Sequence, residues 1–335
     1  MKKILFSIIA ICSSIVATAQ NTDEPSAILQ HGDQVSVYKG STGLQNAYAA
    51  AVDGDVINLS AGTFQSVTIK KALTILGAGF ENNAEVNTAV TYINGDWTVG
   101  ENGAVIDGFY LEGVNISGKL VLNCELKNAQ IQRCYINSAL NFNYNIENVL
   151  LKQCRFGGEI TGNWSKVANG LLISNCYVLG QIHNFAYESF VNIDHSIVAT
   201  LYNEIYPGYA QFLWTNSILS ANDTYRAQPV GNYSTVRNCI IVSGSGNVPG
   251  NAIAENCFYV DIANIFADGK KITFDETRTF ELKDPTTYVG TDGTPIGLSG
   301  GDGWNKVPSK PYVSNLSATP SGTNLNITYE AGVNK

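Results

Sequence analysis

The sequence is short of charge. Charged residues make up 14% of its 335 positions, against roughly 25% in an average globular protein. Hydrophobic residues stand at 44%. That balance excludes a disordered chain, which cannot bury enough apolar surface to offset its conformational entropy. Basic residues are the scarcer sign: 20 Lys and Arg face 28 Asp and Glu, for a net charge of −8. A nucleic-acid partner is excluded on that ground, because holding a phosphate backbone needs a basic face. Histidine is rarer still, at 3 residues. Five cysteines fall in one repeated row that offers no histidine ligand, so no tetrahedral metal site and no cofactor are expected.

Long apolar runs are missing too, except at the start. Lys2 and Lys3 precede an apolar stretch from Ile4 to Val16, and Ala17-Thr18-Ala19 has the A-x-A form of a cleavage site. Residues 1–19 read as a secretory signal peptide, with Gln20 as the new N-terminus. The stretch is shorter than the ~20 residues of a spanning helix. Its removal takes two lysines and no acid, so the net charge of −8 becomes −10. The expectation is a secreted protein, whether periplasmic, cell-surface or extracellular, with no transmembrane helix in the mature chain.

What is present in quantity is a repeat. A six-residue pattern recurs as VIDGFY, IQRCYI, LKQCRF, ISNCYV, IDHSIV, WTNSIL, VRNCII and AENCFY. Its small residues are Gly108, Cys134, Cys154, Cys176, Ser196, Ser217, Cys239 and Cys257, in steps of 26, 20, 22, 20, 21, 22 and 18. The period is too short for helical-pair repeats of about 33 to 47 residues. The copies are β-branched and aromatic, which is strand composition.

Each copy also contains a bend. In ISNCYV a straight strand would put Ile173 and Asn175 on one face. An amide and an apolar side chain do not share a dry core. With Asn175 in a tight turn, Ile173, Cys176 and Val178 all point inward. Asn is the non-glycine residue that best tolerates the left-handed conformation. Asn175, Asn216, Asn238 and Asn256 are therefore expected at one corner, bonded along the stack. A third strand is placed about six residues beyond the small residue, as VNISG, SALNF, GEITG, GQIHN and ATLYN, with Ile116, Leu140, Ile160, Ile182 and Leu201 inward. The expected fold is all-β, a right-handed parallel β-helix with three short strands per coil of about 21 residues. Each coil buries its inward row only against its neighbours.

The stretch from Gly43 to Gly79 contains Gly54-Asp55-Val56-Ile57-Asn58-Leu59-Ser60-Ala61-Gly62-Thr63-Phe64. It resembles the first coil of secreted right-handed β-helix proteins of the pectin-lyase-like superfamily, which follows a short capping helix. The segment GTDGTPIGLSGG, Gly290 to Gly301, resembles their closing segment. The resemblance implies the fold and leaves activity open, because this fold carries lyases, hydrolases and non-catalytic adhesive proteins. Independently, Leu44, Ala47, Tyr48 and Ala51 share one helical face, with Ser41 or Thr42 as cap. Four parts are expected: the signal peptide at 1–19, an N-terminal segment with capping helix at 20–52, the β-helix at 53–300, and a linker with a C-terminal β-hairpin at 301–335. The hairpin, Val313 to Thr319 and Leu325 to Ala331, is expected to cover the open end; an immunoglobulin-like start is the rival reading.

Six cysteines follow the signal peptide: Cys124, out of register, and Cys134, Cys154, Cys176, Cys239 and Cys257 in the repeat. An even count in a secreted chain points to disulfides. Stacked equivalents lie about 4.8 Å apart with parallel Cβ vectors, whereas a disulfide needs Cβ atoms about 3.8 Å apart. Buried free thiols acting as small apolar fillers are expected.

Outward residues of the third strand form the candidate surface. One column reads Asn115, Ala139, Glu159, Gln181, Thr200; the next reads Ser117, Asn141, Thr161, His183, Tyr202. Nearby loops supply Tyr144, Trp164, Tyr187, Tyr206, Tyr209 and Tyr225. Aromatic faces beside amides and hydroxyls suit sugar rings. The ligand-binding candidates are Asn141, Trp164, Gln181, His183, Tyr187 and Tyr202. The resemblance implies catalytic sets that are not found. There is no basic residue in the row for a calcium-dependent lyase. The D-D, G-H-G and R-I-K motifs of polygalacturonase-like hydrolases are absent, and the one N-T-D is Asn21-Thr22-Asp23. Glu159 with His183 is the only catalytic candidate, and glycoside hydrolysis normally needs two carboxylates; Glu188 or Glu204 would have to reach in from loops. The expectation is a monomeric, non-catalytic protein that binds a neutral polysaccharide or cell-surface glycan. A polysaccharide lyase or glycoside hydrolase is the alternative.

Overall fold

The computed structural model describes residues 24–82, 89–200, 210–221, 233–243, 252–307, 311–321 and 324–333. The chain is a parallel β-solenoid of about 8 turns with ~21 residues per coil. Among the described residues the solenoid has sheets of fourteen, ten and five strands, the last confined to the coils from Trp97–Val99 to Ile182–His183. One coil shows the plan. Gln130–Gln132 lies in the long sheet, Tyr135–Ile136 in the ten-stranded sheet and Leu140–Phe142 in the five-stranded sheet.

Register puts one apolar residue per coil into each inward column. In the long sheet Leu111, Ile131, Leu151, Ile173, Ile193, Trp214 and Val236 stack in turn. Ile93, Ile116, Ile136, Phe156 and Val178 do the same in the ten-stranded sheet. Trp97, Leu120, Leu140, Ile160 and Ile182 complete the core. All of these are buried, each stabilising the fold by about 1.5–3 kcal/mol.

The first end is closed. β1 (Ser26–His31) and β2 (Gln34–Lys39) form a hairpin turning at Gly32, and β1 adds antiparallel to β3 (Val56–Leu59). This hairpin was not expected from the sequence. Helix α1 (Gly43–Ala50) buries Leu44 and Ala47 over the first coil. Thr42 is its N-cap position, but its side chain makes no capping hydrogen bond. Among the described residues no helix is long and apolar enough to cross a membrane.

The corner before eight strands of the ten-stranded sheet, from Asn115–Ile116 to Phe258–Val260, is left-handed. Asn175, Asn216, Asn238 and Asn256 occupy it with φ between 49° and 52°. Gly113, Arg133, Gln153 and His195 hold the same place in the other coils. The next residue points inward and is small in most coils. Cys154 and Cys176 are stacked neighbours, with the Cys154 N–H donating to Cys176 Sγ at 3.4 Å. All six described cysteines are free thiols. Burial holds the Cys134 and Cys154 thiols well above their ordinary pKa.

Two positions in the expected register are corrected. Gly108 is not in the small-residue column. Asp107 pairs with Lys127, so Gly108 sits at a different corner, level with Asn128. Val114 takes the place, because Asn115 pairs with Tyr135. The apparent 26-residue step was therefore a phase error, and the true step from Val114 to Cys134 is one coil. For the same reason VNISG is a strand of the ten-stranded sheet, and the third strand of that coil is Leu120–Leu122. Thr200 also lies in the ten-stranded sheet, where it pairs with Ala221. Leu201 and Tyr202 lie outside the described residues.

The solenoid stops at Val260, not near residue 300. From Ile262 the chain turns back along the outside of the ten-stranded sheet. It makes a second apolar cluster, with Ile265, Phe266, Phe280, Leu282, Ile296 and Leu298 covering Tyr177, Ile197, Ile218 and Ile240. Arg278 holds this segment together. Its guanidinium bonds Asp268 at 2.6 and 3.0 Å and the carbonyls of Lys270, Lys271 and Thr273.

The same segment then crosses the left-handed corners one coil at a time. Asn216 meets Thr291, His195 meets Thr294, Asn175 meets the carbonyls of Leu298 and Gly300, and Gln153 meets the carbonyl of Gly303. Lys306 ends the run on Glu81. The corner amide of Asn175 bonds the returning segment, and that of Asn216 bonds both this segment and, one coil along the stack, Asp194 Oδ1 at 3.0 Å, so the expected bonding along the stack holds only in part. Amide-to-amide stacking does occur, at other corners: Asn137 to Asn115 at 2.7 Å and Asn143 to Asn123 at 3.1 Å. Replacing Asn175 by Val should cost about 1–3 kcal/mol, because two buried carbonyls lose their donor and a β-branched residue must adopt positive φ. An unchanged urea midpoint would refute this.

Two aspartates fasten the crossing. Burial opposes charge on Asp194, but hydrogen bonds from His195, Thr215 and Asn216 outweigh it and hold its pKa below the ordinary value. Asp292 is likewise held down against burial by the backbone N–H and hydroxyl of Thr294. A carboxylate depressed in the folded state stabilises it fully above the unfolded pKa, about 3.9 for Asp. That stability is lost as pH falls below this value through the folded pKa. Asp194→Asn should therefore flatten the fall in melting temperature below about pH 4. A pH–stability curve identical to that of the parent would refute the assignment.

The C-terminal hairpin forms as Pro311–Ser321 and Asn324–Val333, longer than expected in both strands. Among the described residues these strands pair only with each other and add no ladder to the last coil.

Candidate functional site

The five-stranded sheet has an open outer face. The register places Lys119, Ala139, Glu159 and Gln181 in one outward column, and Val121, Asn141, Thr161 and His183 in the next. Asn115 and Ser117 leave the expected rows with their strand, and Lys119 and Val121 replace them. Lys119 puts a basic side chain in the row, contrary to expectation. Thr200 is not part of this face, and the described sheet ends at Ile182–His183.

The polar groups are close-knit. His183 Nε2 lies 3.2 Å from Glu159 Oε2. Asn184 donates to Thr161 Oγ1 at 3.2 Å. Asn141 Oδ1 is shielded from solvent and accepts no hydrogen bond. Gln181 is largely buried beside Glu159 in sequence register.

The loops leaving the last two strands raise aromatic rings. Asn163 donates to the Asn143 carbonyl and accepts from the Ser165 N–H, and Lys166 closes a turn on the Asn163 carbonyl. Trp164 sits at the crest of that turn, 56% exposed. One coil on, Phe185 anchors the next loop by packing on Phe142 and Phe212 at 6.2 and 6.0 Å. A turn from Ala186 to Ser189 leaves Tyr187 65% exposed. Of the six sequence-derived ligand candidates, Asn141, Gln181, His183, Trp164 and Tyr187 belong to this sheet or the loops leaving it. Tyr202 lies outside the described residues, as do Tyr206, Tyr209, Tyr225 and Glu204.

As chemistry, the face offers one carboxylate–imidazole pair. Asp96 precedes Trp97 in the same outward column, but three coils separate it from Glu159. At about 4.8 Å per coil that is about 14 Å, beyond the roughly 6.5–9.5 Å of an inverting pair. Asp96 also accepts from the Lys119 N–H at 2.8 Å. Glu188 is exposed in the Tyr187 turn and bonds neither Glu159 nor His183. The set can orient hydroxyls and stack on sugar faces.

Among the described residues no group of three or more His, Cys, Asp or Glu is arranged to hold a metal ion. Neither a protein-family model nor a curated protein matches the chain. The fold and this face together define a parallel β-solenoid with a polar, aromatic-edged outer sheet.

Proposed function

We propose that this is an exported, non-catalytic β-helix of the pectin-lyase-like kind that binds a glycan on the outer face of its five-stranded sheet. One observation carries the reading: Trp164 and Tyr187 stand exposed on consecutive coils, beside the polar row of Asn141, Thr161 and His183. Rings spaced by one coil, next to amide and hydroxyl groups, match the faces and edges of a sugar chain. The single carboxylate–imidazole pair supports binding rather than bond cleavage. The acid-rich chain favours neutral glycans on this face.

Glycan-array binding with purified protein tests the proposal. Trp164→Ala with Tyr187→Ala should lower affinity by at least about tenfold, the ~1.4 kcal/mol that lost stacking implies, with an unchanged melting curve. Binding that survives the double substitution would sink the assignment. Reducing-end release or ultraviolet-absorbing products, lost on Glu159→Gln, would instead establish the hydrolase or lyase alternative.

A further inference from the structure

We propose that Arg155 is a binding site for a ligand carboxylate, on the part of the ten-stranded sheet that the returning segment leaves partly open. Its outward column runs Tyr92, Asn115, Tyr135, Arg155, Tyr177, Ile197, Ile218 and Ile240. The aliphatic half is covered by Ile265 to Leu298. Arg155 stands at the boundary and is half-buried.

Its guanidinium is held between two rings, 4.0 Å from the Tyr135 centroid and 3.7 Å from the Phe274 centroid. Both rings pack against the guanidinium and fix its position. Its edge carries the five N–H donors in a fixed fork. That edge makes no hydrogen bond and no ion pair within 4 Å among the described residues, and the acid whose charge it feels is Glu81. The other three described arginines are each paired: Arg133 with Glu112, Arg237 with Glu255 and Arg278 with Asp268. In a chain with more acids than bases, an arginine fixed in position and left without a hydrogen-bond partner is the exception.

A second donor without a partner lies on the same aromatic support. Trp304 packs edge-on to Phe274 at 6.4 Å and to Phe80 at 6.3 Å, and its buried indole N–H makes no hydrogen bond. The adjacent acid, Glu81, has one oxygen on Lys306 and the other buried without a hydrogen bond, and its carboxylate feels the charge of Arg155 without bonding it. Glu276 also stands close, since its carbonyl accepts from Lys306. These two acids disfavour a dianion and leave a planar monoanion as the fitting group. A carboxylate matches the guanidinium edge with two parallel N–H···O bonds. The carboxylate could belong to an acidic sugar or to a simple organic acid. This site is on a different sheet from the Trp164–Tyr187 face, around the Gly157–Gly158 corner, and does not depend on it.

The test observes the arginine Nε–H resonances of the full chain by NMR, with Arg155 assigned by its loss in Arg155→Lys. Sodium glucuronate, sodium acetate, sodium sulfate and glucose are titrated separately. The Arg155 signal should shift saturably with glucuronate and acetate and not with glucose. Arg155→Lys keeps the charge and loses the planar fork, so carboxylate binding, read from backbone amides of Tyr135 and Phe274, should weaken at least about tenfold. Arg155→Gln serves the same purpose if the lysine variant fails to fold. Glucuronate binding tighter than acetate assigns an acidic sugar; equal binding assigns a bare carboxylate. No saturable shift in the parent, sulfate binding tighter than carboxylate, or binding unchanged in both variants would overturn the proposal. The first of these outcomes would leave Arg155 as a brace between the sheet and Phe274.

Discussion

Replacing Glu112 by alanine is expected to lower stability by about 3–5 kcal/mol, the cost of stranding a buried charge. Glu112 is 2% exposed and bonds Arg133, itself 6% exposed, at 2.6 Å. The second carboxylate oxygen accepts from the Tyr110 hydroxyl at 2.6 Å. Gln132 in turn donates to that hydroxyl. Removing the carboxylate takes the counter-charge from a guanidinium that has little water to replace it. A surface pair would matter far less, since exposed ion pairs contribute about 0–1 kcal/mol.

The control is the double variant Glu112→Leu, Arg133→Asn. Asparagine is what four other coils use at this left-handed corner. With both charges gone, the double variant should recover most of the loss, because a buried pair is worth little against a neutral replacement. Urea denaturation of Glu112→Leu, Arg133→Asn and the double variant forms a cycle that checks this. A Glu112→Ala loss below about 1 kcal/mol would show that the pair behaves as an exposed one.

The second large effect is expected at Phe280. This ring is 2% exposed and packs on Tyr177, Phe266 and Phe274 at 5.6, 5.9 and 6.0 Å. Arg278 lies over both Phe266 and Phe280. It is the centre of the contact between the returning segment and the solenoid. Phe280→Ala should cost about 3–5 kcal/mol. The loss should appear first as release of the segment, because the stacked coils keep their own separate core. Limited proteolysis should then cut between Ile262 and Val307, with dye binding to the uncovered Ile197, Ile218 and Ile240. Neither faster cleavage nor a lower urea midpoint would mean that the segment is held mainly by its corner hydrogen bonds.

The repeat was legible because it is enforced at every turn. An inward position must be apolar in each coil, and the left-handed corner selects Asn or Gly. Ile173, Asn175, Cys176 and Val178 show these demands within six letters. The phase at the first copy was not legible. VIDGFY satisfies the pattern, yet Val114, not Gly108, is the stacked residue, and only strand pairing distinguishes them. That error displaced Asn115 and Ser117 into the wrong sheet and hid Lys119. Within the candidate site, Asn141, Thr161 and His183 were readable from their spacing. The exposure of Trp164 and Tyr187 was not, since it depends on how Asn163 and Phe185 tie down their loops.

By itself the sequence determined a parallel stack of coils of about 21 residues, its three inward rows and its corners. Those follow from local geometry repeated coil after coil, so the pattern is written many times over. The tertiary structure decided where the solenoid ends and what covers its flank. The segment after Val260 has no periodicity of its own; its place is set by the apolar column from Tyr177 to Ile240 and by the corner amides it meets. Arg155 reads on paper as one more polar letter in a strand. It becomes a fixed guanidinium without a hydrogen-bond partner only when Phe274, brought back from far along the chain, packs against it beside Tyr135.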